Sequence, residues 1–125
     1  MFHRSLPKTT VTLVAVLLVL VTVAPSPMSA QGSRYSLTFN NYTGLRIDRI
    51  YMSTSESGRW GPDQLRENRL WSGSYYTLTG ITPGEYDIKF VDGRGFACTL
   101  YGVNVFRDLS WDLTRQWLLG CEYGR

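Results

Sequence analysis

The sequence predicts an all-β domain, an antiparallel immunoglobulin-like β-sandwich of about seven short strands, and three observations carry that expectation. Apolar residues alternate with polar ones in one short segment after another. Clusters of Gly, Pro, Asn, Asp and Ser separate these segments. No stretch beyond residue 30 holds a long helical period.

Residues 1–30 are read apart from the fold. Arg4 and Lys8 form a positive head, Val11 to Val23 is uninterruptedly apolar or threonine, and the stretch to Ala30 ends in small residues. This is the pattern of a cleaved signal peptide. As a helix the apolar run would span about 20 Å, against roughly 30 Å for a bilayer core. Retention as an anchor is the alternative, since no charge lies between Thr9 and Ser33, and Met28 is larger than the residue usually found there. Residues 31–125 then make one domain.

Tyr35, Leu37 and Phe39 alternate with Ser36, Thr38 and Asn40 to give the first strand. Asn41-Tyr42-Thr43-Gly44 is turn chemistry, and it also matches a glycosylation acceptor pattern. The second strand starts with Leu45 and Ile47 on one face and continues with Ile50 and Met52. That change of parity calls for a bulge near Asp48-Arg49. Residues 53–69 lack strand character; Gly61-Pro62 opens a helical turn reaching Leu65 or Arg66, with Trp60 and Leu65 pinning the loop. Strand character resumes from Leu70 to Thr79, with both side-chain rows fairly apolar, and residues 80–84 turn the chain.

The organising element is the hairpin Glu85 to Leu100. Tyr86, Ile88 and Phe90 alternate with Asp87 and Lys89, and Phe96, Cys98 and Leu100 repeat the pattern beyond Asp92-Gly-Arg-Gly95. A two-residue loop would set apolar residues opposite charged ones. A three-residue loop, Gly93-Arg94-Gly95, instead pairs Phe90 with Cys98 and Ile88 with Leu100 on one face. Such a loop is a type I turn closed by a left-handed residue, with Asp92 first and Gly95 left-handed. Parity shifts again to Val103 and Val105, so a bulge is expected at Tyr101-Gly102. Leu109, Trp111 and Leu113 form a last inward row. A helical turn from Thr114, stopped by Gly120, then delivers Cys121 to Cys98.

Cys98 and Cys121 are expected to form a disulfide, because the leader directs the chain to an oxidising compartment. Without Arg4 and Lys8 the remaining chain has eleven basic against ten acidic residues, which gives no electrostatic footprint for nucleic acid. A membrane enters only through the transient signal peptide.

Catalytic chemistry is sparse. The single histidine, His3, leaves with the leader, taking with it histidine-dependent triads and the common zinc ligand sets. The ten carboxylates do not converge in sequence, and Asp92-Gly-Arg-Gly95 lacks the alternating oxygen ligands of a calcium loop. No catalytic residue, metal or cofactor is assigned. Aromatic content is the feature above baseline. Tyr42, Tyr75, Tyr76, Tyr101, Trp60, Trp71 and Trp117 are too many for so small a core.

These pieces together resemble a family of small exported bacterial β-sandwich proteins, most without an assigned activity. The resemblance rests on Asn41-x-Thr43-Gly44, Ile47 through Ser55, Trp60-Gly61-x-Asp63-x-Leu65, Tyr86-Asp87-Ile88, Trp111-x-Leu113-Thr114 and Leu118-Leu119-x-Cys121-Glu122. It implies a bacterial envelope or extracellular setting and a single β domain, and brings no catalytic residues. The expectation is a non-enzymatic binding or structural module. Its partner is a protein or an envelope glycan, and its contact loop carries Arg59, Trp60, Asp63 and Leu65. The alternatives are a small periplasmic inhibitor of a foreign hydrolase and, further off, a calcium-binding or enzymatic domain.

Overall fold

The structure, a computed structural model, describes residues 18–26 and 32–123. Residues 18–26 are exposed and form no regular element, and the expected cut after Ala30 lies outside the described residues. Among the described residues no helix is long and apolar enough to cross a membrane.

Six strands and one helix follow: β1 Tyr35–Tyr42, β2 Ile47–Thr54, β3 Tyr75–Ile81, β4 Gly84–Asp92, β5 Ala97–Val105, β6 Leu109–Thr114 and α1 Arg115–Tyr123. They build two three-stranded sheets, in the orders β3-β1-β6 and β2-β4-β5. Six strands rather than about seven are present, and Leu100 and Val105 belong to one strand whose parity changes at the expected bulge. The expectation of a wholly antiparallel fold also needs correcting, since β1 and β6 run parallel, Phe39 beside Trp111. Alternation along a strand marks which face is buried and not which way its neighbour points.

The hairpin register follows the side-chain argument. Phe90 pairs with Cys98 and Ile88 with Leu100. Gly95 has φ of 82° and donates its N–H to the Asp92 carbonyl at 2.9 Å. Asp92 is buried, and its carboxylate accepts from the N–H groups of Arg94 and Phe96, which holds the loop shut. The two expected bulges are in place, one between Ile47 and Arg49 and one opposite Asp87, where Gly102 takes a positive φ.

Several boundaries differ from expectation. β1 runs on through Asn41 and Tyr42, where a turn is expected, and β2 starts at Ile47 rather than Leu45. β3 starts at Tyr75 rather than Leu70, because residues 72–73 form a turn, and it runs on to Ile81 through a bulge at Thr79-Gly80. The helical turn expected from Gly61-Pro62 is instead an Asx-type turn opened by Asp63, whose Oδ1 accepts from the Leu65 N–H at 3.1 Å. Gly120 does not stop the C-terminal helix, which continues through Cys121. Glycine costs a helix interior about 1 kcal/mol. That cost is outweighed by buried Leu118, by Trp117 packed edge-on against Phe90 at 5.6 Å, and by the Cys98–Cys121 disulfide. The Thr114 hydroxyl accepts from the Trp117 N–H and caps the first turn, as expected.

One core serves both sheets. Leu37, Phe39, Leu78 and Leu113 of the first sheet cluster with Ile47, Ile50, Ile88, Phe90, Val103 and Val105 of the second. Phe39 and Phe90 meet edge-to-face at 5.0 Å across the middle.

Candidate functional site

β2 is an edge strand, and an unpaired edge invites adventitious pairing. The segment 61–70 covers it. Gly61 donates to the Met52 carbonyl at 3.0 Å and Gln64 to the Ile50 carbonyl at 2.7 Å. Farther along, Ile47 and Leu70 exchange two bonds of 2.9 Å. The Asp63 carboxylate accepts from the Ile50 N–H at 3.0 Å, satisfying a strand donor that would otherwise point into the loop. Gly61 favours this close approach, because a Cβ there would lie 3.3 Å from the Met52 carbonyl oxygen and press the segment and β2 apart by a few tenths of an ångström. Leu65 is fully buried beneath the turn. The Trp-Gly-x-Asp-x-Leu stretch is thus a strap whose glycine, aspartate and leucine each fasten it to β2.

Trp60, at the head of the strap, lies beside the outer face of the β2-β4-β5 sheet. The Lys89 Nζ sits 4.7 Å from the Trp60 ring centroid and 5.0 Å from that of Tyr51. Tyr51 and Lys89 are direct cross-strand partners. Each such contact contributes about 0.5–1 kcal/mol at a wetted site. The result is a cluster in which one ammonium serves two rings, and Trp60 keeps 38 % of its surface in solvent.

The four residues expected in the contact loop therefore divide. Trp60 presents a ring to solvent, and Arg59 is exposed beside it. Asp63 and Leu65 face β2 and the core and hold the strap in place. Reasoning from sequence missed Lys89 and Tyr51. The bulge at Asp48 was the signal that could have found them, since it puts Tyr51 on the outward face together with Lys89. Asn41 and Thr43 were missed in a different sense. Read as a surface turn and glycan acceptor, both are buried.

Electrostatics around the strap are modest. Arg46 and Asp48 form a two-pronged ion pair, with Arg69 3.6 Å from the same carboxylate. The hydrogen bond from Arg46 holds the Asp48 carboxyl below its ordinary value; partial burial opposes this, and the charges of Arg46, Arg69 and Arg49 add to the lowering. Asp87, expected merely to face outward, accepts from the Ser55 hydroxyl at 2.9 Å and from the Gly102 N–H at 3.0 Å. It joins the residue that follows β2 to the β5 bulge. Among the described residues, no three His, Cys, Asp or Glu side chains are grouped so as to hold a metal ion.

No family model matches the chain, and no curated protein matches it. Among solved structures it is similar to a protein from Eubacterium rectale determined by NMR. That similarity has 15 % identity, covers 66 % of this chain and 81 % of the other, and has a TM-score of 0.47.

Proposed function

We propose that the chain is an exported, non-enzymatic binding module of the bacterial envelope. In this reading the two sheets form an immunoglobulin-like sandwich, of the kind the sequence resembles, and the strap presents the contact surface to a protein or glycan partner. The observation that carries the reading is the Trp60–Lys89–Tyr51 cluster. A ring held by a cation and still partly exposed is a rigid anchor, and it loses little side-chain entropy when a partner covers it. Arg59 adjoins it and suits an acidic or hydroxyl-rich partner. The absence of histidine from residues 31–125 and the scattered carboxylates favour binding over catalysis. The disulfide favours an oxidising compartment and, with the leader-like N-terminus, secretion or the periplasm.

Affinity capture from envelope extracts, followed by titration of the captured molecule, tests this. Wild type is expected to retain a partner that Trp60→Ala loses while still melting cooperatively, about 5 °C or less below wild type. Equal binding by a folded Trp60→Ala would remove the cluster from consideration.

A further inference from the structure

The two sheets differ in charge. β1, β3 and β6 have eight, seven and six residues, and Asp112 is the one Asp, Glu, Lys or Arg among them. β2, β4 and β5 carry six such residues: Asp48, Arg49, Glu85, Asp87, Lys89 and Asp92. A solvated sheet face with one charge is unusual, because charges on such faces and edges keep sheets from sticking to one another.

On the outer side of the β3-β1-β6 sheet, the register sets out a grid. Thr38 stands between Thr77 and Ser110. Asn40 stands between Tyr75 and Asp112, and Tyr42 lies beside Thr114. The grid is tied within itself. Thr38 and Thr77 share a hydrogen bond of 2.9 Å, and the Asn40 amide donates to Ser110 at 3.0 Å and to Asp112 at 2.8 Å. Tyr42 and Tyr75 are diagonal neighbours on adjacent strands, a placement that sets Cα positions about 7–8 Å apart. They are 58 % and 71 % exposed.

We infer that this face binds a neutral polysaccharide, at a surface distinct from the Trp60 strap. The chemistry selects the ligand. Hydroxyl and amide groups both donate and accept, as sugar hydroxyls do. The two rings offer flat apolar surfaces to the C–H faces of successive sugars. The one carboxylate is partly satisfied by Asn40 and can still accept from a sugar hydroxyl. The three strands carry no lysine or arginine. The arginines that flank β3, Arg34 bonded to the Gly80 carbonyl and Arg66 beside Thr77 and Thr79, lie outside the grid, so a neutral polymer suits it better than an anionic one. Apart from the two tyrosine rings, the grid positions carry no outward aliphatic side chain, and hydroxyl and amide groups dominate the face. A face already bonded to itself also needs little ordering when it binds.

Affinity electrophoresis of the full chain through gels containing mixed-linkage β-glucan, xyloglucan, galactomannan or alginate tests the inference. At least one of the three neutral polymers is expected to retard the wild type, and alginate is expected not to. Tyr42→Ala and Tyr75→Ala, both at exposed positions, are each expected to weaken the retardation about tenfold with unchanged melting, while Trp60→Ala leaves it intact. No retardation by any of the three neutral polymers overturns the inference, as does undiminished retardation of the folded Tyr42→Ala/Tyr75→Ala double variant. Self-association of the wild type that Tyr75→Ala abolishes, seen by sedimentation, would give the face to a second copy and equally overturn it. Because the strap and the grid are probed by different variants, failure of one leaves the other standing.

Discussion

The Asn41 side-chain amide donates to the Leu70 carbonyl at 2.9 Å, and Leu70 in turn exchanges two backbone bonds with Ile47. Asn41 lies on β1 and Ile47 on β2, so this short polar relay ties one sheet to the other at one end of the core. Asn41 is completely buried and makes four side-chain bonds: it donates to Leu45 and Leu70 carbonyls and accepts from the Thr43 N–H and hydroxyl.

Asn41→Ala is expected to destabilise the domain by about 1–3 kcal/mol, because the buried Thr43 N–H loses its acceptor while the Leu70 carbonyl keeps only its bond from Ile47 and the Leu45 carbonyl only that from the Thr43 hydroxyl. Denaturant unfolding of the variant checks this. The same burial predicts that the folded protein, offered to a glycosylating extract, takes up no glycan at Asn41; an intact-mass shift would contradict it.

Leu65 and Trp60 are five residues apart and should respond oppositely. Leu65→Ala empties a fully buried position and is expected to cost about 2–5 kcal/mol. Trp60→Ala gives up one wetted cation–π contact, about 0.5–1 kcal/mol. Paired melts of the two variants make the comparison. A Leu65→Ala protein as stable as Trp60→Ala would mean that the strap is not fastened to the core.

The Cys98–Cys121 bridge closes a separation of 23 residues. In the chain-entropy account such a loop stabilises the fold by about 3 kcal/mol. For a domain of this size that corresponds to a fall in melting temperature of roughly 15 °C on reduction or in the Cys98→Ser/Cys121→Ser variant. Helical signal lost in the reduced protein, with β signal retained, would locate the loosening at α1.

Asp48 supplies a pH dependence whose sign is fixed by its partners. Its carboxyl is held below the ordinary value in the folded chain, so near that value the unfolded chain binds more protons. The stabilisation is therefore complete above the ordinary aspartate value, near pH 4, and is lost as pH falls through the depressed folded value. The difference in melting temperature between wild type and Asp48→Asn is expected to be small at neutral pH and to close on acidification. It should also shrink in high salt, since the pair is solvent-accessible.

Much of the fold was legible because side-chain parity records burial. The hairpin register, both bulges of the β2-β4-β5 sheet, the inward row Leu109-Trp111-Leu113 and the disulfide partners all follow from which residues must share a face or a compartment. The candidate site was legible only in part. Trp-Gly-x-Asp marked an important loop, but its glycine and aspartate are fitted to the edge of β2, and that edge exists only once the sheet is assembled.

What the sequence determined by itself was local: alternation, left-handed glycines and caps, all set by contacts within a few residues. Tertiary structure alone decided the parallel seating of β1 against β6, the continuation of α1 through Gly120, and the burial of Asn41, whose neighbours read as an open turn. The physical reason is the same in each case. Local preferences are worth about 1 kcal/mol or less per residue. Filling a shared core and satisfying every buried polar group are worth several, and those terms depend on segments far apart in the chain.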